Sequence, residues 1–255
     1  MQVGADYQEI EWQYDAPHGL GKIEEWLGGC DPGKFGLAVL RGSFEELKDA
    51  YYDTEDWRLY RAGYALRIRQ KTPSKGAEAT MKSLISAAGN PHKRREVSEP
   101  LTSEGGVDAL QKATGLVGAR LKVAIRPRKV RPIFEVRTRR QTFDLLLLDG
   151  QPADPEKLPV SGSADIVRVG EVALDDSEIP RDEEVARLLR VEVEVDASAM
   201  SVPSELEGFV KAMQVSLGLR PAANSKYEVG LFVTGQDPGG EDSLQAKAKG
   251  EKKEQ

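Results

Sequence analysis

The sequence predicts a mainly β fold with peripheral helices, of the α+β kind. Three observations carry that reading: strand-like alternation recurs from end to end, few stretches have helical spacing, and no regular βα alternation appears. The most informative strands carry like charges two residues apart: Glu9/Glu11, Arg67/Arg69 and Glu192/Glu194. Side chains two apart on a strand share a face, and the alternate faces here are apolar: Ile10 and Trp12, Leu66 and Ile68, then Val191, Val193 and Val195. Two arrangements satisfy this pattern. Either the sheet is ordinary with a solvated outer face, or the charged faces turn inward around a shared enclosure. Taken singly, an alternating charged strand is most often a solvated face.

The elements follow in order. A first strand is expected over about Tyr7–Tyr14, then an amphipathic helix with Leu20, Ile23, Trp26 and Leu27, broken by Gly28, Gly29, Pro32 and Gly33. An irregular strand follows over Leu37–Asp53, and a clear one over Tyr64–Gln70. Further strands are expected at Ala77–Ser83, Lys93–Glu99, Arg131–Arg140, Thr142–Leu148, Asp165–Leu174 and Leu188–Asp196. Asp149-Gly150 reads as a turn and Gln151–Gly162 as an extended loop. Helices are expected near Gly106–Ala113 and over Pro203–Leu217, the latter with Leu206, Phe209, Val210, Met213 and Leu217 on one stripe and Gly218 as its stop. No internal repeat or linker interrupts residues 1–234, which read as one domain. Residues 235–255 turn to Gly, Pro, Lys and Glu and are expected to form a disordered charged tail.

Composition narrows the function classes. At 255 residues the chain can enclose a large β core, and its net charge of −6 argues against a general nucleic-acid binder. The single cysteine, Cys30, excludes an internal disulfide and a thiolate metal cluster. Met1–Asp6 has neither a basic nor an apolar signal region, and Leu145–Leu148 is too short to span a bilayer. No membrane association is expected, and the cytoplasm is the expected location. Glycine-rich phosphate loops, dinucleotide fingerprints and paired metal histidines are absent from the sequence; His18 and His92 sit in polar contexts.

What remains for chemistry are carboxylates and cations on strands. The acidic set is Glu9, Glu11, Glu171, Asp175, Glu192 and Glu194, with Glu171 and Asp175 of like parity. Oxygen ligands without histidine or thiolate suit Mg²⁺ or Mn²⁺. The basic set is Arg67, Arg69, Lys82, Arg94, Arg137, Arg140 and Lys226. Guanidinium forks suit bidentate phosphate contacts, with lysine as a point charge beside them. The run from Arg126 to Arg131 is assigned no site.

These residues, in this order, resemble the CYTH superfamily of triphosphate tunnel metalloenzymes. Its members include inorganic triphosphatases, thiamine triphosphatases and class IV adenylate cyclases. Glu9-Ile10-Glu11-Trp12-Gln13 resembles the opening ExExK; Tyr51-Tyr52-Asp53-Thr54 with Ala65-Leu66-Arg67-Ile68-Arg69 resembles the second signature. Thr80-Met81-Lys82, Arg94-Arg95-Glu96, Arg137 to Arg140, Glu171-Val172-Ala173-Leu174-Asp175, Glu192-Val193-Glu194 and Ser225-Lys226 follow in family order. The resemblance spans about Tyr7–Leu231.

It implies a closed antiparallel barrel of about eight strands forming a tunnel with its charged faces inward. It also implies divalent-metal-dependent hydrolysis of a triphosphate-containing small molecule, inorganic triphosphate above all. Glu9, Glu11, Asp175, Glu192 and Glu194 would ligate Mg²⁺ or Mn²⁺. Arg67, Arg69, Lys82, Arg94, Arg137, Arg140 and Lys226 would bind phosphate, with Lys82 and Glu171 as catalytic candidates. Two departures stand out: Gln13 replaces the first-strand lysine, and Val229 stands near where an arginine is common. Both favour the alternative of a non-catalytic polyphosphate-binding module. A class IV adenylate cyclase or thiamine triphosphatase is the other alternative.

Overall fold

Nine strands and six helices are seen in the computed structural model, which describes residues 5–72, 76–84, 91–101, 107, 110, 114–148, 166–197 and 201–239. The strands are β1 (Ala5–Asp15), β2 (Leu37–Thr54), β3 (Tyr64–Thr72), β4 (Ala77–Ser83), β5 (His92–Leu101), β6 (Val130–Leu148), β7 (Ile166–Arg181), β8 (Glu184–Val195) and β9 (Arg220–Pro221). The helices are α1 (Gly21–Gly28), α2 (Pro32–Phe35), α3 (Arg58–Arg61), α4 (Leu116–Ile125), α5 (Ser204–Leu217) and α6 (Lys226–Val233).

The sheet runs β5-β4-β3-β2-β6-β7-β8-β1-β9, with β5 also paired to β1, so eight antiparallel strands are hydrogen-bonded in a ring. At its seam β1 divides its length: Ala5–Glu11 pairs with β5 and Glu11–Asp15 with β8, the two ladders meeting only at Glu11.

Apolar side chains lie mostly outside the ring, under helices. Trp12, Val172, Leu174, Val191 and Val193 pack with Ile23 and Leu27 of α1 and Leu206, Phe209 and Met213 of α5. Leu66, Ile68, Ala79, Met81 and Val97 pack with Val117, Leu121 and Ile125 of α4. Because these faces are buried against helices, the opposite, charged faces have only the ring's interior to occupy. The inward arrangement is the one realised. α1 therefore packs on the outside. α6 is the helix that lies across one end, with Tyr227 and Leu231 against Tyr51, Phe134 and Ile179. Gly230 makes that approach possible, since a Cβ there would sit 2.1 Å from the Phe134 ring.

Several boundaries depart from expectation for identifiable reasons. The two strands expected over Arg131–Leu148 are one, β6, because β2 and β7 pair it along its whole length. β7 continues through Asp176, Ser177 and Pro180 for the same reason, paired with β8 as far as Arg181. α3 was not foreseen. The buried Asp53 carboxylate creates it, accepting the backbone N–H groups of Thr54, Leu59 and Tyr60. Nor was α4, whose first turn is capped from another strand: Glu99 accepts the N–H groups of Val117 and Gly118. α6 carries a capping box, Ser225 with Glu228, that is visible in sequence.

The expected helix near Gly106–Ala113 and the loop Gln151–Gly162 lie almost wholly outside the described residues. So does the tail beyond residue 239. Among the described residues, no helix is long and apolar enough to cross a membrane.

Candidate active site: a cavity with opposed charges

The ring encloses a cavity of about 270 Å³. Its walls follow strand parity. β3, β4 and β5 contribute Arg67, Arg69, Lys71, Lys82 and Arg94; β7, β8 and β1 contribute Glu171, Glu192, Glu194, Glu9 and Glu11. One arc is predominantly cationic and the facing arc carboxylate. Arg140 of β6 and Lys226 of α6 complete the lining, while Glu78 and Glu96 are the acids on the cationic side.

Ion pairs bridge the arcs. Lys82 Nζ lies 2.7 Å from Glu9 Oε1 and 2.8 Å from Glu96 Oε2. Arg140 donates to Asp175 at 2.7 and 2.6 Å and to Glu192 at 2.6 Å. Lys226 donates to Glu192 at 2.8 Å and also contacts Asp175. Arg94 stands 4.0 Å from Glu11. Gln13 donates to Glu11 Oε1 at 2.7 Å, so the residue that departs from the family pattern caps a carboxylate.

The pairing is uneven. Burial pushes the Glu9 carboxyl up to about 7, with Lys82 working against the shift and Glu11 and Glu96 for it. Burial and the neighbouring Glu9 raise Glu194 to about 7, and burial also raises Glu11. Burial opposes charge on Glu192 as well, but Lys226 and Arg140 outweigh it and hold that carboxyl well below the ordinary range. Lys82 is kept well above the ordinary lysine value by Glu9, Glu96 and Glu11 despite its burial. Glu9 Oε2, Arg67 Nε and Arg94 Nε are buried without a hydrogen-bond partner. Free acceptors on one arc and free donors on the other are what a polyanion carrying a divalent cation would satisfy.

For the metal, the donor chemistry fits. Among the described residues no three metal-ligating side chains already converge on one point. Glu11 and Glu194 are nevertheless cross-strand partners, Glu9 follows on the same face, and one Glu9 oxygen is unengaged. An oxygen-only set of mutually repelling carboxylates suits Mg²⁺ or Mn²⁺.

Eleven of the thirteen site residues expected from sequence line this cavity. Two do not. Arg137 lies outside the ring, its side chain 63% exposed and paired with Glu135 at 2.9 Å. It has the opposite parity to Arg140, and alternation along β6 turns Thr138 and Arg140 in and Arg137 and Arg139 out. Arg137→Ala is therefore expected to change any chemistry in the cavity less than twofold and stability by about 0.5 kcal/mol or less, read by kinetics and melting. Asp175, expected as a metal ligand, does not line the cavity: it is fully buried on the inward face of β7 beneath Arg140 and Lys226, which it holds. Glu171 stands on the lining with its Oε2 accepting from Arg168 at 2.8 Å. Burial raises its carboxyl above the ordinary value, with Arg168 working against the rise.

Sequence reasoning missed Tyr7, Lys71, Glu78 and Glu96 as lining residues, and Asp49 behind them. Parity could have found them: Tyr7 precedes Glu9 by two, Lys71 follows Arg69 by two, and Glu96 follows Arg94 by two.

Comparison with known proteins agrees with this geometry. The CYTH domain matches residues 36–228. No curated protein matches the chain. A Hippeastrum protein that goes under the name of an adenylyl cyclase, with a dominant triphosphatase activity, is similar in structure at 14% identity and a TM-score of 0.56, over 89% of this chain and 96% of that one. A protein of Pyrococcus horikoshii OT3 is similar at 17% identity and a TM-score of 0.51, over 88% of this chain and 98% of its own. At such identities the likeness speaks for the fold. The domain match itself runs from the start of β2 into α6, across most of the ring, and on that extent the chain belongs to the CYTH family.

Proposed function

We propose that this chain hydrolyses a triphosphate substrate, inorganic triphosphate in the first place, in a divalent-metal-dependent reaction inside the cavity. The observation that carries this reading is the opposition of the two arcs. Burying unpaired ions costs several kcal/mol each, so such a lining is expensive unless it serves a highly charged ligand. At an effective dielectric near 20, each charge contact at ~4 Å is worth roughly 4 kcal/mol before desolvation.

Arg67, Arg69, Lys82, Arg94, Arg140 and Lys226 bind phosphate oxygens and neutralise charge as the bridging P–O bond breaks. Glu9, Glu11, Glu192 and Glu194 would hold Mg²⁺ or Mn²⁺, which when bound would supply Lewis acidity and a more acidic water. Glu171, with Oε1 left over from its pairing to Arg168, takes the proton of the attacking water. An organic substituent finds little surface here. The aromatic and apolar lining is Tyr7, Tyr51, Ala65, Leu84 and Tyr227; the Tyr7 hydroxyl donates to Glu96 at 3.2 Å, and Tyr51 and Tyr227 are already packed on Phe134, with ring centroids 4.7 and 5.8 Å from it.

The test is a phosphate-release panel over triphosphate, pyrophosphate, ATP and thiamine triphosphate with Mg²⁺ and with Mn²⁺. Orthophosphate release from triphosphate, abolished by chelation, is expected. Tight triphosphate binding without turnover under any divalent ion would identify a binding module instead, the reading that Gln13 favours. Cyclic AMP and pyrophosphate from ATP would identify a cyclase.

A further inference from the structure

Asp49, like Asp175, is a buried carboxylate that does not line the cavity but holds cations that do. It is 1% exposed and lies beneath the lining side chains on the inward face of β2, directly opposite Arg69 in the β2–β3 register. Arg69 Nε donates to Oδ1 and Nη2 to Oδ2, both at 2.7 Å, and Arg67 Nη1 is 3.8 Å from Oδ2. One carboxylate thus serves two guanidiniums that share a strand face and would otherwise repel each other. Burial alone would raise the Asp49 carboxyl, but Arg69 and Arg67 outweigh it and hold it well below the usual range. Asp49 is therefore a permanent anion.

Two other cations of the cationic arc, Lys82 and Arg94, are held differently. Lys82 leans on Glu9 and Glu96, and Arg94 on Glu11, all of them lining carboxylates. Those contacts compete with any ligand that enters. The Asp49 contact does not, because its carboxylate is outside the lining and engages the Nε–Nη2 edge of Arg69. The adjoining Arg67 keeps an unpartnered, buried Nε.

We propose that Asp49 is a positioning residue: it locks Arg69, and with it Arg67, as a preformed phosphate clamp on β3. The inference rests on the triphosphatase reading above. It adds that the order of this clamp, and not only its charge, sets the rate. Asp49 acts on the substrate only through the arginines, so its loss should matter only where Arg69 is present.

The experiment is a double-mutant cycle on the full chain, Asp49→Asn, Arg69→Gln and both together, with Asp49→Glu as the conservative variant. Triphosphate hydrolysis with Mg²⁺ or Mn²⁺ is the readout, with melting as the stability control. Asp49→Asn is expected to lower kcat at least tenfold with KM within about threefold, because the charge facing the ligand has become more positive while the clamp has lost its order. Asp49→Glu should recover part of kcat. The double variant should lie within about threefold of Arg69→Gln alone.

A merely structural Asp49 would depress the Arg69→Gln background as strongly as the wild type, and that additivity would overturn the proposal. So would an Asp49→Asn variant with wild-type kcat. If Asp49→Asn fails to fold, the double variant, which replaces the ion pair by two neutral amides, still reads the coupling against Arg69→Gln. If the wild type binds triphosphate but does not hydrolyse it, the hydrolase reading fails, and the same cycle read in triphosphate Kd decides the role of Asp49. Non-additivity supports it and additivity overturns it. A wild type that neither binds nor cleaves triphosphate overturns both.

Discussion

Lys82→Ala is expected to lower triphosphate hydrolysis by about two to three orders of magnitude and to destabilise the chain by roughly 3 kcal/mol. The ammonium group sits between Glu9 and Glu96, with Glu11 also raising its proton affinity, at the one place where the cationic arc reaches the carboxylate arc most directly. On the proposed reaction, removing it would withdraw a cation from the bridging phosphate oxygens in the transition state. It also leaves Glu9 and Glu96, each 4% exposed, without their shared counter-ion. The two effects separate by pH. The stability loss should shrink at pH 5, where the orphaned carboxylates can protonate, while the catalytic loss should not recover. Steady-state kinetics and melting across pH 5–8 check both, and a variant with kcat/KM within threefold of wild type would remove Lys82 from the chemistry.

A second large effect concerns the metal-free chain. Glu9 and Glu194 have their carboxyl pKa values raised from 4.5 to about 7, chiefly by burial. A carboxyl raised in the folded state keeps protons that the unfolded chain has released. Its contribution is therefore fully present below the unfolded value near 4.5 and is lost as pH rises through about 7. Glu192 and Glu96, lowered by their cations, work the other way, contributing stability above the unfolded value that is lost toward acid pH. In chelator, stability is expected to peak near pH 5 and to fall by about 2–4 kcal/mol toward pH 8. Glu194→Gln should flatten that slope, and saturating Mg²⁺ or Mn²⁺ should restore stability at pH 8 by binding the native state. Denaturant midpoints in chelator that are flat or rise from pH 5 to 8 would contradict this account.

Strand periodicity alone exposed much of the site. Glu9/Glu11, Arg67/Arg69 and Glu192/Glu194 could be assigned to common faces because alternation is local, set by the backbone of a single strand. The same rule, applied more strictly, would have excluded Arg137 and added Tyr7, Lys71 and Glu96. Residues beyond its reach owe their roles to distant partners. Glu99 caps α4 from β5, and the buried Asp49 is known as an arginine anchor only once β2 and β3 are in register. Periodicity also could not say which face of the ring looks inward. That follows from α1, α4 and α5 covering the apolar sides.

Composition and spacing thus specify which side chains travel together along each strand, and through the motif order, the family. The folded chain adds which strands face one another, where the carboxylates meet the cations, and that Asp175 and Asp49 lie buried beneath the cations they hold. The physical reason is that parity is a property of one strand, whereas ion pairing across a ring depends on register between segments up to about 180 residues apart, as at Glu11 and Glu194. Register is fixed by packing, bulges and closure, which no single stretch of sequence contains.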